Sequence, residues 1–261
     1  MIHYANDVYA HFARWMSHLR RQPMFLAISI VQPFFWLFLF SQAMGRALGA
    51  GGPRYTGLHD YPAFMTGSVI VMTVFNNSLM AGIPILFDRE FGLLNRILAT
   101  PSARSAILVG RFLAVSLVTM IQVVIVLASA GAFLDVDIAS GAVGLIAIFG
   151  LVLLFGLGIS LVSMTLAFTF RSHVEFFAML SVVSLPLVFL SSALVPLEAM
   201  PSWLAWLARL NPMTYAIDGV RYLIQVGWSR AIVLRMAAAL TAFAALMFVI
   251  ALATARRKLV R

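Results

Sequence analysis

Residues 141–170 read GAVGLIAIFGLVLLFGLGISLVSMTLAFTF, with no Asp, Glu, Lys, Arg or His among them. About 20 helical residues cross a hydrocarbon core of ~30 Å, so this run spans one with a margin. Backbone groups in lipid have to pair within their own segment, which makes the run a helix. Strands of a membrane barrel would alternate over ~10 residues instead. The same test selects five more charge-free runs, at 25–45, 61–86, 112–134, 176–197 and 236–255. A buried core helix explains one such run, not six.

Composition agrees. Hydrophobic residues make up 62% and charged residues 10% of the 261-residue chain, and mean hydropathy is +1.00, outside the range of soluble domains. The expected fold is all-α, one membrane domain over residues 1–261 with six spans. Cysteine is absent, which excludes a disulfide framework and a thiolate metal site. The first apolar run is too long for a signal-peptide core, and further spans follow it.

Basic residues set the expected orientation. With the N-terminus cytoplasmic, the inner segments hold Arg14, Arg20, Arg21, Arg89, Arg96, Arg104, Arg111, Arg171, Arg256, Arg257, Lys258 and Arg261. The outer segments hold Arg46, Arg54, Arg209, Arg221, Arg230 and Arg235. Twice as many lie inside, as the positive-inside bias requires, and both termini are expected there. The net charge of +9 then points to an anionic leaflet rather than to nucleic acid.

Three segments outside the spans carry a pattern of their own. Residues 86–105, LFDREFGLLNRILATPSARS, place Phe87, Phe91, Leu94 and Leu98 on one helical face beside Asp88, Arg89, Glu90 and Arg96, and Pro101 stops the helix. At the N-terminus, residues 1–22 read as an interfacial helix. Tyr4, Val8, Phe12, Trp15 and Leu19 form its apolar face; Asp7, His11, Arg14, His18 and Arg21 form its solvated one. Residues 198–230 are too apolar for a loop and too broken to span. Pro196, Pro201 and Pro212 divide this region, and Trp203, Trp206, Tyr215, Tyr222 and Trp228 suit a membrane–water boundary. Short re-entrant helices on the outer side are expected, with Ser202 and Thr214 reachable from outside.

FDREFGLLNRILATPSARSAILVGR resembles the first intracellular loop of ABC-2 type transporter permeases, and PLEAMPSWLAWLARLNPMTYAIDGVR resembles the segment before their last span. The whole chain is similar to the drug-resistance exporter branch of that family, whose best-known member handles daunorubicin. The resemblance implies an export permease of the inner membrane of a bacterium, working as a dimer with two ATP-binding subunits that bind ATP and Mg. It implies a coupling helix at 87–101, carried by Phe87, Asp88, Arg89, Glu90, Phe91, Gly92, Leu94, Arg96, Leu98 and Pro101. An outer gate would use Pro196, Glu198, Pro201, Asn211, Pro212 and Arg221.

The chain has no G-x-x-x-x-G-K-[ST] phosphate loop, so no cofactor is expected on it and any ATP hydrolysis belongs to a partner. Gly156 and Gly158 suit close helix packing instead. An ion-coupled carrier would place ionisable groups within the spans, and an intramembrane enzyme would pair Ser with His or two carboxylates there; neither pattern occurs. Cargo stays open between amphipathic drugs and lipids, glycolipids or lipid-linked polysaccharides. Candidate path residues are Phe75, Asn76, Asn77, Phe189 and Ser191, with helix–helix contact as the competing role for the polar ones.

Overall fold

The computed structural model describes residues 2–21, 23–49, 61–90, 104–170 and 172–259. Ten α-helices occur among them: α1 (Ile2–Arg20), α2 (Pro23–Gly49), α3 (Tyr61–Leu79), α4 (Ile83–Glu90), α5 (Arg104–Leu134), α6 (Gly141–Thr169), α7 (His173–Phe189), α8 (Ser202–Leu210), α9 (Pro212–Gln225) and α10 (Arg230–Leu259). No strand occurs among the described residues. Four stretches are long and apolar enough to cross a membrane: Tyr61–Phe87, Phe112–Leu134, Gly141–Thr169 and Arg230–Thr254. Ala27–Ala43 and His173–Phe189 are shorter apolar helices. The chain is therefore an all-helical membrane protein.

α3 is the buried axis of the fold. Nearly every residue from Tyr61 to Leu79 is buried, and α2, α5, α6 and α9 pack around it. α10 lies along α6, and Gly158 makes that approach possible: a Cβ there would sit 2.4 Å from Cε1 of Phe243. The expected packing role of this glycine is what the structure shows. At one end of the bundle the 135–140 connection docks onto the C-terminus of α9, where Ala139 N donates to Ile224 O at 2.9 Å and Ser140 N to Leu223 O at 3.2 Å. At the opposite end of α6, the Phe87 ring meets the His173 ring edge-on at 4.7 Å. The two connections thus segregate to opposite ends of the helices.

Three sequence expectations are corrected. The 61–86 run is not one continuous helix, because Met80–Gly82 forms a 3-10 turn between α3 and α4. Pro84 is the cause: it has no amide for the carbonyl of Met80 and would clash with it. Ile83 N donates to Met80 O instead, leaving Leu79 O without its i+4 donor. Ser163 of α6 repairs the gap. Its hydroxyl donates to Leu79 O and accepts from Gly82 N at 3.0 Å. The 176–197 run ends its helix at Phe189, since Asn211 captures the last carbonyls as described below. Lastly, α1 packs across the start of α5, and His11 lies on the packed side rather than the solvated one. A Cβ at Gly110 would stand 2.6 Å from Val8 O and 2.9 Å from Cβ of His11.

Removing the Ser163 hydroxyl leaves a buried amide and a buried carbonyl unpaired, which costs about 1–3 kcal/mol. Ser163→Ala should therefore lower the unfolding temperature of the purified protein. Thr165→Ala, which deletes only a bond to the carbonyl one turn back, should do so far less; equal losses would remove the special role of Ser163.

Candidate functional site: a buried arginine, a capped break and a polar groove

Arg221 sits on α9 at 6% exposure. Its Nε donates to Phe64 O at 3.1 Å, and Nη2 donates to Ser68 Oγ at 2.5 Å and to Ala193 O at 3.0 Å. The guanidinium carbon lies 3.4 Å from the centroid of the Phe64 ring, a cation–π contact in a dry setting. Asp218 stands one turn earlier, with Oδ1 3.8 Å from Nη1, and accepts from the Ser192 hydroxyl at 2.6 Å. One side chain thus ties α9 to α3 and to the turn after α7. Gly67 on α3 leaves room for it, since a Cβ there would meet Cγ of Arg221 at 2.6 Å.

α9 is not one of the spans, and its charged pair has perturbed protonation. Burial raises the Asp218 carboxyl above its ordinary value, against the lowering effects of the Ser192 hydrogen bond and of Arg221. The same burial lowers Arg221 to about 9, opposed by Asp218, so the guanidinium remains charged at neutral pH.

The other residues expected at an outer gate fall around this pair. Pro196, Glu198, Asp218, Arg221 and Tyr222 line a cavity of 280 Å³. Asn211 is the N-cap of α9, accepting from Met213 N at 2.9 Å, with Pro212 as the first helical residue. Its Nδ2 donates at 2.7 Å to both Leu187 O and Leu190 O, which closes the end of α7. Pro201 precedes α8 and is exposed. Thr214 is 3% exposed, so it is not the accessible position expected from the sequence; Ser202 is exposed.

Of the residues expected to form a coupling helix, Phe87 lies on α4 against His173. Asp88, Arg89 and Glu90 complete the backbone of α4. Phe91, Gly92, Leu94, Arg96, Leu98 and Pro101 lie outside the described residues.

The five path candidates do not converge. Phe75 is 1% exposed and stacks on Phe155 at 6.4 Å, inside the α3–α6 core. Phe189 is 63% exposed, at the far end of α7. Ser191 is folded into its own turn, donating to Val188 O at 2.7 Å. Asn77 donates to Thr119 Oγ1 at 3.2 Å and to Gln122 Oε1, and Gln122 donates to Ser29 Oγ at 2.7 Å. That is helix-to-helix bonding. Asn76 is exposed and, together with Asn77, Ser29, Gln32, Pro33 and Trp36, lines a groove of 60 Å³ between α2 and α3. Neither the Gln32 nor the Asn76 amide has a hydrogen-bond partner among the described residues. Gln32 is an amide in the uncharged 25–45 run; Trp36 and Ser163 carried no local signal.

The sequence profile of the ABC-2 type transporter family matches residues 7–225. The protein named transport permease ycf38 of Pyropia yezoensis is 36% identical over 226 residues, covering 85% of this chain and 76% of that one. Its namesake in Cyanophora paradoxa is 36% identical over 222 residues, 84% of this chain and 74% of that one. The daunorubicin resistance ABC transporter permease protein DrrB1 of Streptomyces coeruleorubidus is 25% identical over 238 residues, 89% of this chain and 81% of that one.

Arg221→Ala strands three acceptors and a carboxylate, so it should destabilise the fold by about 3–5 kcal/mol. Arg221→Lys, which cannot fork or stack in the same way, should recover only part. Thermal unfolding checks this against Arg209→Ala, an exposed control expected to change little; a neutral Arg221→Ala would contradict the reading of the cluster.

Proposed function

The chain belongs to the ABC-2 type transporter family, and on that premise we propose that it is the membrane subunit of an ATP-driven exporter. In this reading it has six spans, both termini in the cytoplasm, and short re-entrant helices α8 and α9 on the outer side. A separate subunit binds ATP and Mg and hydrolyses the nucleotide, and two copies of the permease pair over two such subunits. The observation that carries the reading is the family match over residues 7–225, which takes in both stretches that carry the resemblance, 87–111 and 196–221. Relatives occur in algae as well as bacteria, so the host membrane is a plasma membrane or that of an organelle.

Cargo is proposed to be an amphipathic or hydrophobic compound of the antibiotic kind. Two features support this: the daunorubicin resistance named for the Streptomyces relative and the groove beside Trp36. An amide facing hydrocarbon without a partner is costly, so Gln32 and Asn76 mark the α2–α3 face as one that meets cargo, water or the second copy. Lipid or glycolipid cargo is the second reading, favoured by the position of that groove on the side of the bundle. A ligand screen for ATPase stimulation of the purified complex separates the two.

Coupling is assigned to residues 87–101. α4 leads into this segment directly from the turn that Ser163 closes, so a push on 87–101 reaches α6 as well as α3. Glu90→Ala and Arg96→Ala each remove one charge and, on this assignment, should leave expression and dimerisation normal while export fails. Gly92→Pro, at about 3 kcal/mol for an interior proline, should also weaken binding of the ATPase. Co-purification of the ATPase and efflux are measured in the same cells, and full efflux by both alanine variants together would overturn the assignment.

The topology has its own test. In this cysteine-free chain, Ser202→Cys should react with an impermeant thiol reagent from outside, and Thr214→Cys should be protected by burial. Reaction of Ser202→Cys only from the cytoplasmic side refutes the outer placement.

A further inference from the structure

Serine and threonine within a membrane helix ordinarily satisfy their hydroxyl by donating to the carbonyl one turn back. Thr66, Ser68, Thr73, Thr119, Ser129, Thr165, Thr241 and Thr254 all do so here. Ser160 does not. It is 1% exposed, and its hydroxyl has no hydrogen-bond partner. The Ser78 and Ser116 hydroxyls likewise have none among the described residues. These three residues come from α6, α3 and α5, and with Thr119 and Met120 they line one cavity.

The size of that cavity selects its occupant. At about 10 Å³ it is at the lower bound for seating one water and too small for an organic ligand. A buried water needs two to four polar partners, and four hydroxyls surround the space. Gly156 keeps it open, since a Cβ there would crowd the Ser78 hydroxyl at 3.1 Å. Ser78 lies nine residues from Phe87, and Ser160 nine from Thr169. Both are therefore ~13 Å from one end of the apolar stretches Tyr61–Phe87 and Gly141–Thr169, near the middle of a ~30 Å hydrocarbon core.

We infer that the junction of α3, α5 and α6 binds one water molecule, held by the hydroxyls of Ser160, Ser78, Ser116 and Thr119. Thr119 is already bonded by Asn77, which bonds Gln122, which bonds Ser29. The water therefore joins α6 to a hydrogen-bonded layer that crosses α3 and α5 and ends at α2. The layer closes at mid-depth, where each unpaired hydroxyl would otherwise face hydrocarbon. Transport and ATP play no part in this inference.

Met120 supplies the probe. Radiolysis of a bound water releases hydroxyl radical where it sits and oxidises the nearest sulfur. In the purified permease in nanodiscs, Met120 should oxidise several-fold faster in the native chain than in Ser160→Val, whose side chain fills the cavity. Met65, fully buried elsewhere, should react equally in both and serves as the reference. Equal Met120 rates in the two proteins overturn the inference. Should Ser160→Val fail to fold, Ser78→Ala, which deletes a ligand of the water, is measured in the same way with the same two outcomes. Independently, a density map that shows the ordered waters of the interface loops should show a peak between Ser160 Oγ and Ser78 Oγ. An empty cavity in such a map also overturns it.

Discussion

A carbonyl or amide released inside hydrocarbon has no water to turn to, and three irregular points among the described residues answer to that constraint. Pro84 breaks the second apolar run, and Ser163 from another helix takes up the freed groups at Leu79 and Gly82. α7 stops at Phe189, and Asn211 takes up the carbonyls of Leu187 and Leu190. The turn that follows would expose Ala193 O, and Arg221 takes it together with Phe64 O. In each case the repairing group comes from an element distant in sequence. The irregular points are therefore also where the helices are fastened to one another. Loss of one repair loosens a packing contact and strands a polar group at once.

This explains which parts of the fold were legible in the sequence. Residues 141–170 announced a spanning helix because a long uncharged run has one stable form in lipid, and the helix ends within a residue of that run. Pro212 was read as a division within 198–230, and it is the first residue of α9, with Asn211 as the cap. Ser163 offered no such signal. It is one more serine in an apolar run, and its partners lie more than eighty residues away. The early end of α7 was hidden for the same reason, because its cap is Asn211. Thr214 looked accessible since it sits among prolines and tyrosines, but it lies on the face of α9 that packs into the bundle.

The candidate site was legible in its residue types more than in its geometry. Arg221 was placed at an outer boundary, where an arginine is expected to be wet. A hydrated guanidinium and one with three fixed acceptors and an aromatic face look alike in sequence. Asn76 and Asn77 are adjacent, yet the helical turn sends them to different tasks. Asn77 meets α5, and Asn76 meets the groove against α2. Phe75 looked like a wall for cargo and is instead packed on Phe155. Adjacent residues on a helix point ~100° apart, so a run of three candidates cannot line one path.

Taken together, α3 is clamped differently at its two ends. Toward its start, Arg221 grips Phe64 and Ser68 through hydrogen bonds and a ring face, a fixed and densely bonded joint. Toward its end, the helix is interrupted, and one serine hydroxyl holds both sides of the interruption. A bend concentrates where fewest bonds resist it, so a push on α4 would be taken up at Met80–Gly82 before the buried length of α3. Ser163 belongs to α6, and α6 packs along α10. In the proposed exporter, a displacement at residues 87–101 therefore reaches α6 and α10 through Ser163, while the outer half of α3 stays anchored to α9. The polar layer at Asn77, Gln122 and Ser29 lies between these two regimes, which makes it the level at which the moving and fixed parts of the bundle meet.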